Sequence, residues 1–203
     1  MRIRIKICGI RDLVGATASA RAGADAVGFV FADSPRRVTP TEARRIAADL
    51  PTEIERVAVF RLAPVEEIRR VLDAFAADLV QAEPDRDRLA AFGPRLLAVL
   101  HDDGSAGAQA AGLETDRPVV LEPAGRGGRG VRPDWKRAAS LARRRPVLLA
   151  GGLDPRNVAA AIRAVRPWGV DVSSGVESAP GVKSAARIEA FVSAARRGIL
   201  EDA

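Results

Sequence analysis

Two turns rich in glycine and serine carry the first readable chemistry in the chain. Ala150-Gly151-Gly152-Leu153-Asp154-Pro155 follows an apolar run and opens a helical stretch, and Ser173-Ser174-Gly175-Val176-Glu177 ends another run. Small residues let main-chain N–H groups approach an anion, and a helix start adds a favourable dipole. Gly151, Gly152, Ser173, Ser174 and Gly175 are therefore candidate phosphate ligands, and the agreement of two separate turns favours a phosphate site over plain loops. A third cluster, residues 125–130 (Gly-Arg-Gly-Gly-Arg-Gly), fits a flexible loop as well as a functional one. The second feature is an alternation. In residues 2–8 (Arg-Ile-Arg-Ile-Lys-Ile-Cys) the odd positions are all Ile, so a strand here puts Arg4, Lys6 and Cys8 on one face. Residues 169–173 (Gly-Val-Asp-Val-Ser) alternate likewise, with Asp171 and Ser173 on one face. A buried Lys without a partner is costly. Lys6 and Asp171 are therefore expected to form an ion pair, which requires their two strands to be neighbours.

The elements that position these residues follow from the spacing of apolar runs. Short Val/Ile/Leu-rich runs recur at 3–8, 26–31, 56–60, 79–81, 96–100, 119–122, 147–150 and 169–173. Between them lie Ala/Arg/Glu-rich stretches with helical spacing, for example 12–22, 40–49, 64–75, 154–165 and 184–196. Strands alternating with helices imply parallel strands joined by right-handed crossovers. Eight units in 203 residues give a compact (β/α)8 TIM barrel as a single domain over 1–203. The competing open doubly wound sheet is disfavoured, because residues 8–12 (Cys-Gly-Ile-Arg-Asp) follow the first strand where a G-x-G-x-x-G turn would stand. Asp12, Thr39 or Thr41, and Asp154 are expected helix N-caps, with Pro40, Pro64 and Pro155 near first-turn positions. In a barrel the Ile face of the first strand packs on the helices, and Cys8 stands at the C-terminal rim, where catalytic groups sit in this fold. His101 is expected in a surface loop.

Composition narrows the class. The 47% hydrophobic share excludes disorder, and no apolar run approaches the roughly 20 residues that span a bilayer. The opening residues lack the apolar stretch of a signal peptide, so a cytoplasmic protein without a membrane partner is expected. One Cys and one His exclude an internal disulfide and a Cys/His zinc site. The net charge of +6 admits nucleic acid as a partner. However, the basic residues are nearly all Arg, interleaved with acids on helical stretches, and Lys occurs only at 6, 136 and 183. Mixed runs of this kind are solvated faces, so no nucleic-acid partner is expected.

Several segments together resemble the phosphoribosylanthranilate isomerase family, (β/α)8 enzymes of tryptophan biosynthesis. They are residues 6–10 (Lys-Ile-Cys-Gly-Ile), 23–31, 34–38 (Ser-Pro-Arg-Arg-Val), 127–130 with Asp134-Trp135, 150–153 with Asn157, and 171–177 (Asp-Val-Ser-Ser-Gly-Val-Glu) with Pro180-Gly181. The resemblance implies an Amadori rearrangement of N-(5-phosphoribosyl)anthranilate to 1-(2-carboxyphenylamino)-1-deoxyribulose 5-phosphate. It implies a phosphorylated sugar as the partner molecule, no cofactor, and a monomer or a homodimer. It makes Cys8 the general base, Glu122 the residue at the general-acid position, and Arg36 a ligand of the anthranilate end; Lys6, Gln81 and Asp171 join Arg36 as candidate substrate-binding residues. Two departures stand out. The family acid is an Asp where this chain has Glu122, one methylene longer. The family also reads Val-Gln-Leu-His-Gly where residues 80–84 are Val-Gln-Ala-Glu-Pro, so Glu83 brings a carboxylate toward an anionic substrate unless an Arg compensates; Arg126, Arg129 and Arg132 are candidates for that. The departures leave a divergent relative, acting on or binding another phosphorylated sugar, as the alternative.

Overall fold

A computed structural model describes residues 2–113, 117–125 and 132–200. The glycines and arginines at 126–130, including Arg126, Arg129 and most of the third glycine cluster, lie outside the described residues.

Alternation along the chain builds the barrel. The strands are β1 (Arg4–Cys8), β2 (Ala26–Val30), β3 (Glu55–Val59), β4 (Leu79–Ala82), β5 (Leu96–Asp102), β6 (Val119–Pro123), β7 (Val147–Leu149) and β8 (Gly169–Val172). They pair in parallel, each with its sequence neighbours, and β8 closes on β1. The helices are α1 (Leu13–Ala22), α2 (Pro40–Ala47), α3 (Val65–Ala74), α4 (Arg86–Phe92), α5 (Ala106–Ala111), α6 (Trp135–Ala142), α7 (Val158–Val165) and α8 (Ala185–Leu200). The core divides as strand parity dictates. Ile3, Ile5 and Ile7 join the layer between strands and helices, whereas Cys8, Ala26, Val30, Val57 and Val59 cluster separately inside the barrel. Leu97, Val99, Val120, Leu148 and Ala150 fill the opposite side of that interior. At the N-terminal end, Arg4 pairs with Glu55 at 2.6 Å and lies over the Trp168 ring. Among the described residues no helix is long and apolar enough to cross a membrane.

Helix starts follow local hydrogen bonding, with one correction. Asp12 caps α1 by accepting from the Gly15 N–H at 2.7 Å, and Thr39, not Thr41, caps α2 in a capping box with Glu42. Asp154 does not cap α7. Its carboxylate accepts from the N–H groups of Arg156 and Asn157, closing a turn before the helix, and Asn157 is the N-cap. Asn157 in turn accepts from the Asp154 N–H and donates to the Gly152 carbonyl, so this polar turn fixes the glycine loop after β7. Two further features depart from expectation. β5 runs on to Asp102, so His101 stands on a strand, paired in register with Glu122 of β6. After β8 a short hairpin, β9 (Glu177–Ala179) with β10 (Val182–Lys183), precedes α8.

Candidate active site

Strand ends from around the barrel deliver inward-facing residues to one mouth. A cavity of roughly 490 Å³ at the C-terminal end is lined by Cys8 of β1, Gln81 of β4, His101 of β5, Glu122 of β6 and Ser173 after β8, together with Arg36, Arg61 and Glu83 from the loops. Cys8 and Glu122 thus open onto the same space from strands on different sides of the barrel. Opposite Cys8 in register is Gly28 of β2, where a Cβ would meet the thiol sulfur at 3.0 Å; the glycine leaves that sulfur its room. Gln81 is buried, and its Oε1 has no hydrogen-bond partner among the described residues, which leaves an acceptor for a substrate hydroxyl.

Below the mouth lies the predicted ion pair. Lys6 Nζ is 3.0 Å from Asp171 Oδ2, the two residues are register partners across the β1–β8 seam, and they are only 2% and 6% exposed. Neither is among the residues that line the mouth cavity, and Lys6 lies one strand repeat below Cys8 on the same face of β1. Burial alone would lower the Lys6 pKa, but Asp171, with help from the Cys8 sulfur, more than offsets this, and Lys6 stays firmly cationic. Burial raises the Cys8 pKa above the usual thiol range, against the pull of Lys6 and Lys183 and with the push of Asp171. Burial and the Asp171 carboxylate push Glu122 up as well, opposed by Lys6 and His101. Removing one member of a buried pair strands the other charge, typically at a cost of about 3–5 kcal/mol. Lys6→Met is therefore expected to lower unfolding stability by about that amount in a urea titration, and Lys6→Met combined with Asp171→Leu to recover much of it. An unchanged midpoint in Lys6→Met would discard the pairing as a stabilising element.

A second buried network was not read from the sequence. Arg36 lays its Nε and Nη2 on the two Glu177 carboxylate oxygens at 2.7 and 2.8 Å. Lys183 Nζ donates to Glu177 Oε1 at 2.9 Å and to the Ser173 carbonyl at 3.0 Å. The bidentate edge of Arg36, expected for a substrate carboxylate, is thus occupied, and only the remaining guanidinium N–H groups are left to bind one. Despite partial burial, the two cations hold the Glu177 carboxyl below the usual range. Composition did contain a signal: of three lysines in an Arg-dominated chain, two are buried, Lys183 in this network and Lys6 on Asp171.

The turns after β7 and β8 meet at the rim. A Cβ on Gly175 would stand 1.9 Å from the Leu153 carbonyl oxygen, so glycine alone allows this approach. Among the described residues the N–H groups of Gly152, Ser174 and Gly175 donate to no protein acceptor. They remain open to an anion, beside the half-buried Gly151 and Ser173. Gly175→Ala is expected to force the turns apart, raising KM for a phosphorylated substrate at least tenfold, as measured by steady-state kinetics, while overpacking destabilises the fold by about 1–3 kcal/mol.

A closed (β/α)8 barrel that gathers a thiol, a carboxyl and two small-residue turns at its C-terminal mouth has the architecture of barrel enzymes that handle phosphorylated small molecules. Sequence and structure comparisons narrow this to one family. The profile of N-(5'phosphoribosyl)anthranilate (PRA) isomerase matches residues 5–194, and the chain belongs to that family. It is 45% identical over 209 residues to the N-(5'-phosphoribosyl)anthranilate isomerase of Roseiflexus sp. strain RS-1, covering 96% of this chain and 98% of the relative. The phosphoribosyl anthranilate isomerase structure from Thermus thermophilus superposes with a TM-score of 0.86 at 36% identity, covering 95% and 98% of the two chains. A further isomerase structure, holding reduced 1-(o-carboxyphenylamino)-1-deoxyribulose 5-phosphate, superposes with a TM-score of 0.83 at 35% identity, covering 97% and 100%.

Proposed function

We propose that the chain catalyses the rearrangement of N-(5-phosphoribosyl)anthranilate to 1-(2-carboxyphenylamino)-1-deoxyribulose 5-phosphate, with Cys8 as general base and Glu122 as general acid. The observation that carries this reading is the placement of both groups on one mouth, next to two glycine turns with open main-chain amides. The phosphate lies on the amides of Gly152, Ser174 and Gly175, with Gly151 and Ser173 shaping the cradle. This anchors the ribose between β1 and β6. Glu122 gives its proton to the furanose ring oxygen; the ring C–O bond breaks and the nitrogen lone pair forms the iminium. Cys8 then removes the C2 proton, and the C–H electron pair moves into the iminium to give the enolamine. Protonation at C1 and loss of the C2 hydroxyl proton complete the ketone. No cofactor is required, because the substrate's own iminium is the electron sink. Gln81 accepts a sugar hydroxyl, and the free N–H groups of Arg36 face the anthranilate carboxylate.

The reaction needs thiolate at Cys8 and neutral carboxyl at Glu122, although both groups are pushed upward. Below the range of Glu122 both groups are protonated and no base exists. Above the range of Cys8 both are ionised and no acid exists. Between them one proton is shared, and the productive arrangement is a fixed minority of the pair. The expected profile of kcat/KM is therefore a broad plateau with an acid limb set by Glu122 and an alkaline limb set by Cys8. A narrow optimum that leaves no plateau would contradict it. The direct test of the function is the fluorescence of the anthranilate adduct: purified protein is expected to discharge it with formation of the aminoketose. A folded, phosphate-binding protein without turnover would instead support the alternative of another phosphorylated sugar.

A further inference from the structure

Glu83 stands where the family pattern has histidine, and the single histidine of the chain stands one strand further on, at position 101. The two meet. His101 Nε2 lies 3.4 Å from Glu83 Oε1, and the same carboxylate oxygen takes Arg61 Nε at 3.3 Å. The Glu83 main chain is fixed from both sides: its N–H donates to the Arg61 carbonyl, and its carbonyl accepts from Arg88 Nε at 2.7 Å. The carboxylate expected to repel an anionic substrate is thus neutralised by Arg61 and engaged by an imidazole. His101 is 24% exposed, and its Nδ1 is buried with no hydrogen-bond partner among the described residues. Its register partner on β6 is Glu122, and both side chains face the mouth.

We propose that His101, oriented by Glu83, is a positioning residue for Glu122, hydrogen-bonding through Nδ1 to that carboxyl as it gives up and regains its proton. The inference rests on the reading of Glu122 as the general acid. A carboxylate beside Nε2 favours the tautomer with the proton on that nitrogen, which leaves Nδ1 as an acceptor for the neutral carboxyl. After ring opening Glu122 is a carboxylate. The proton lost from the C2 hydroxyl as the ketone forms returns to it and restores the acid, so protons balance over the cycle. The charged groups around His101 are Glu83 from the end of β4, Arg61 behind it from the end of β3, Glu122 from β6 and Asp103 from the turn that follows. Of these, Asp103 is engaged with Ser105.

The test compares His101→Leu, His101→Asn, His101→Ala and Glu122→Gln by steady-state kinetics. His101→Leu is expected to lower kcat roughly 10–100-fold with KM within about twofold, because the carboxyl loses the acceptor that orients it. His101→Asn, which restores a hydrogen-bonding group near the Nδ1 position, recovers part of kcat, and added imidazole restores part of the activity of His101→Ala. An unchanged kcat in both His101→Leu and His101→Asn, with Glu122→Gln inactive, overturns the proposal and leaves the acid assignment standing. A change in KM alone also overturns it, by making His101 a substrate ligand. A fully active Glu122→Gln removes the underlying reading instead.

Discussion

Cys8→Ala is expected to reduce kcat for the isomerisation by about 10³–10⁴-fold while leaving the fold and the KM nearly unchanged. The sulfur sits at the end of β1 inside the barrel cluster, 8% exposed, and contributes little volume beyond alanine. What it contributes is a base: Lys6 directly behind it and Lys183 beside it favour thiolate, against burial and Asp171. The loss falls on proton removal from C2, so Cys8→Ala is expected to stop exchange of that proton with deuterated solvent while equilibrium binding of a phosphorylated product analogue persists. Cys8→Ser tests basicity separately from shape. An alkoxide is a far less accessible base near neutral pH, so this variant is expected to be as impaired as the alanine. Retained turnover in either variant, within tenfold of wild type, would mean that another group takes the C2 proton.

Glu122→Gln is the second large effect. The amide keeps the volume and cannot supply a proton, so ring opening loses its acid and kcat falls by about 10²–10⁴-fold. Glu122→Asp is the informative companion. Aspartate is the family residue, but in this mouth the carboxyl stands one methylene further from the strand, beside His101 and Glu83 on the same cavity wall. A misplacement near 1 Å costs on the order of 100-fold in rate, so the family residue is expected to be worse here than the native glutamate by about that factor. Measured kcat values for the three proteins decide it. An Asp variant faster than wild type would show that Glu122 is a compromise and not a fitted acid.

Much of this was legible in the chain because β-strand parity is strict. The Ile face at 3, 5 and 7 and the polar face at 4 and 6 placed Lys6 inside the barrel, and closure of β8 on β1 made Asp171 its partner. The glycine turns after β7 and β8 were legible for a similar reason: only small residues permit the approach that Gly175 makes to Leu153. What escaped were polar residues at strand ends and contacts between distant loops. The apolar run of β5 stops at Leu100, so the His-Asp that follows reads as loop, although its main chain continues the ladder to Asp102. Glu177 and Lys183 lie on a hairpin outside the barrel repeat, and the Arg36–Glu177 contact spans 141 residues; no local pattern announces either. Asp154 shows the limit of capping rules, since the same side chain that caps a helix also closes a turn, and Asn157 decided between them.

The most direct measurement is a crystal structure of this protein with reduced 1-(o-carboxyphenylamino)-1-deoxyribulose 5-phosphate. The phosphate is predicted on the amides of Gly152, Ser174 and Gly175, with C2 of the sugar chain against Cys8 Sγ and the oxygen derived from the furanose ring against the Glu122 carboxyl. A ligand bound elsewhere, or one that sets both groups on the same side of the sugar, would contradict the account.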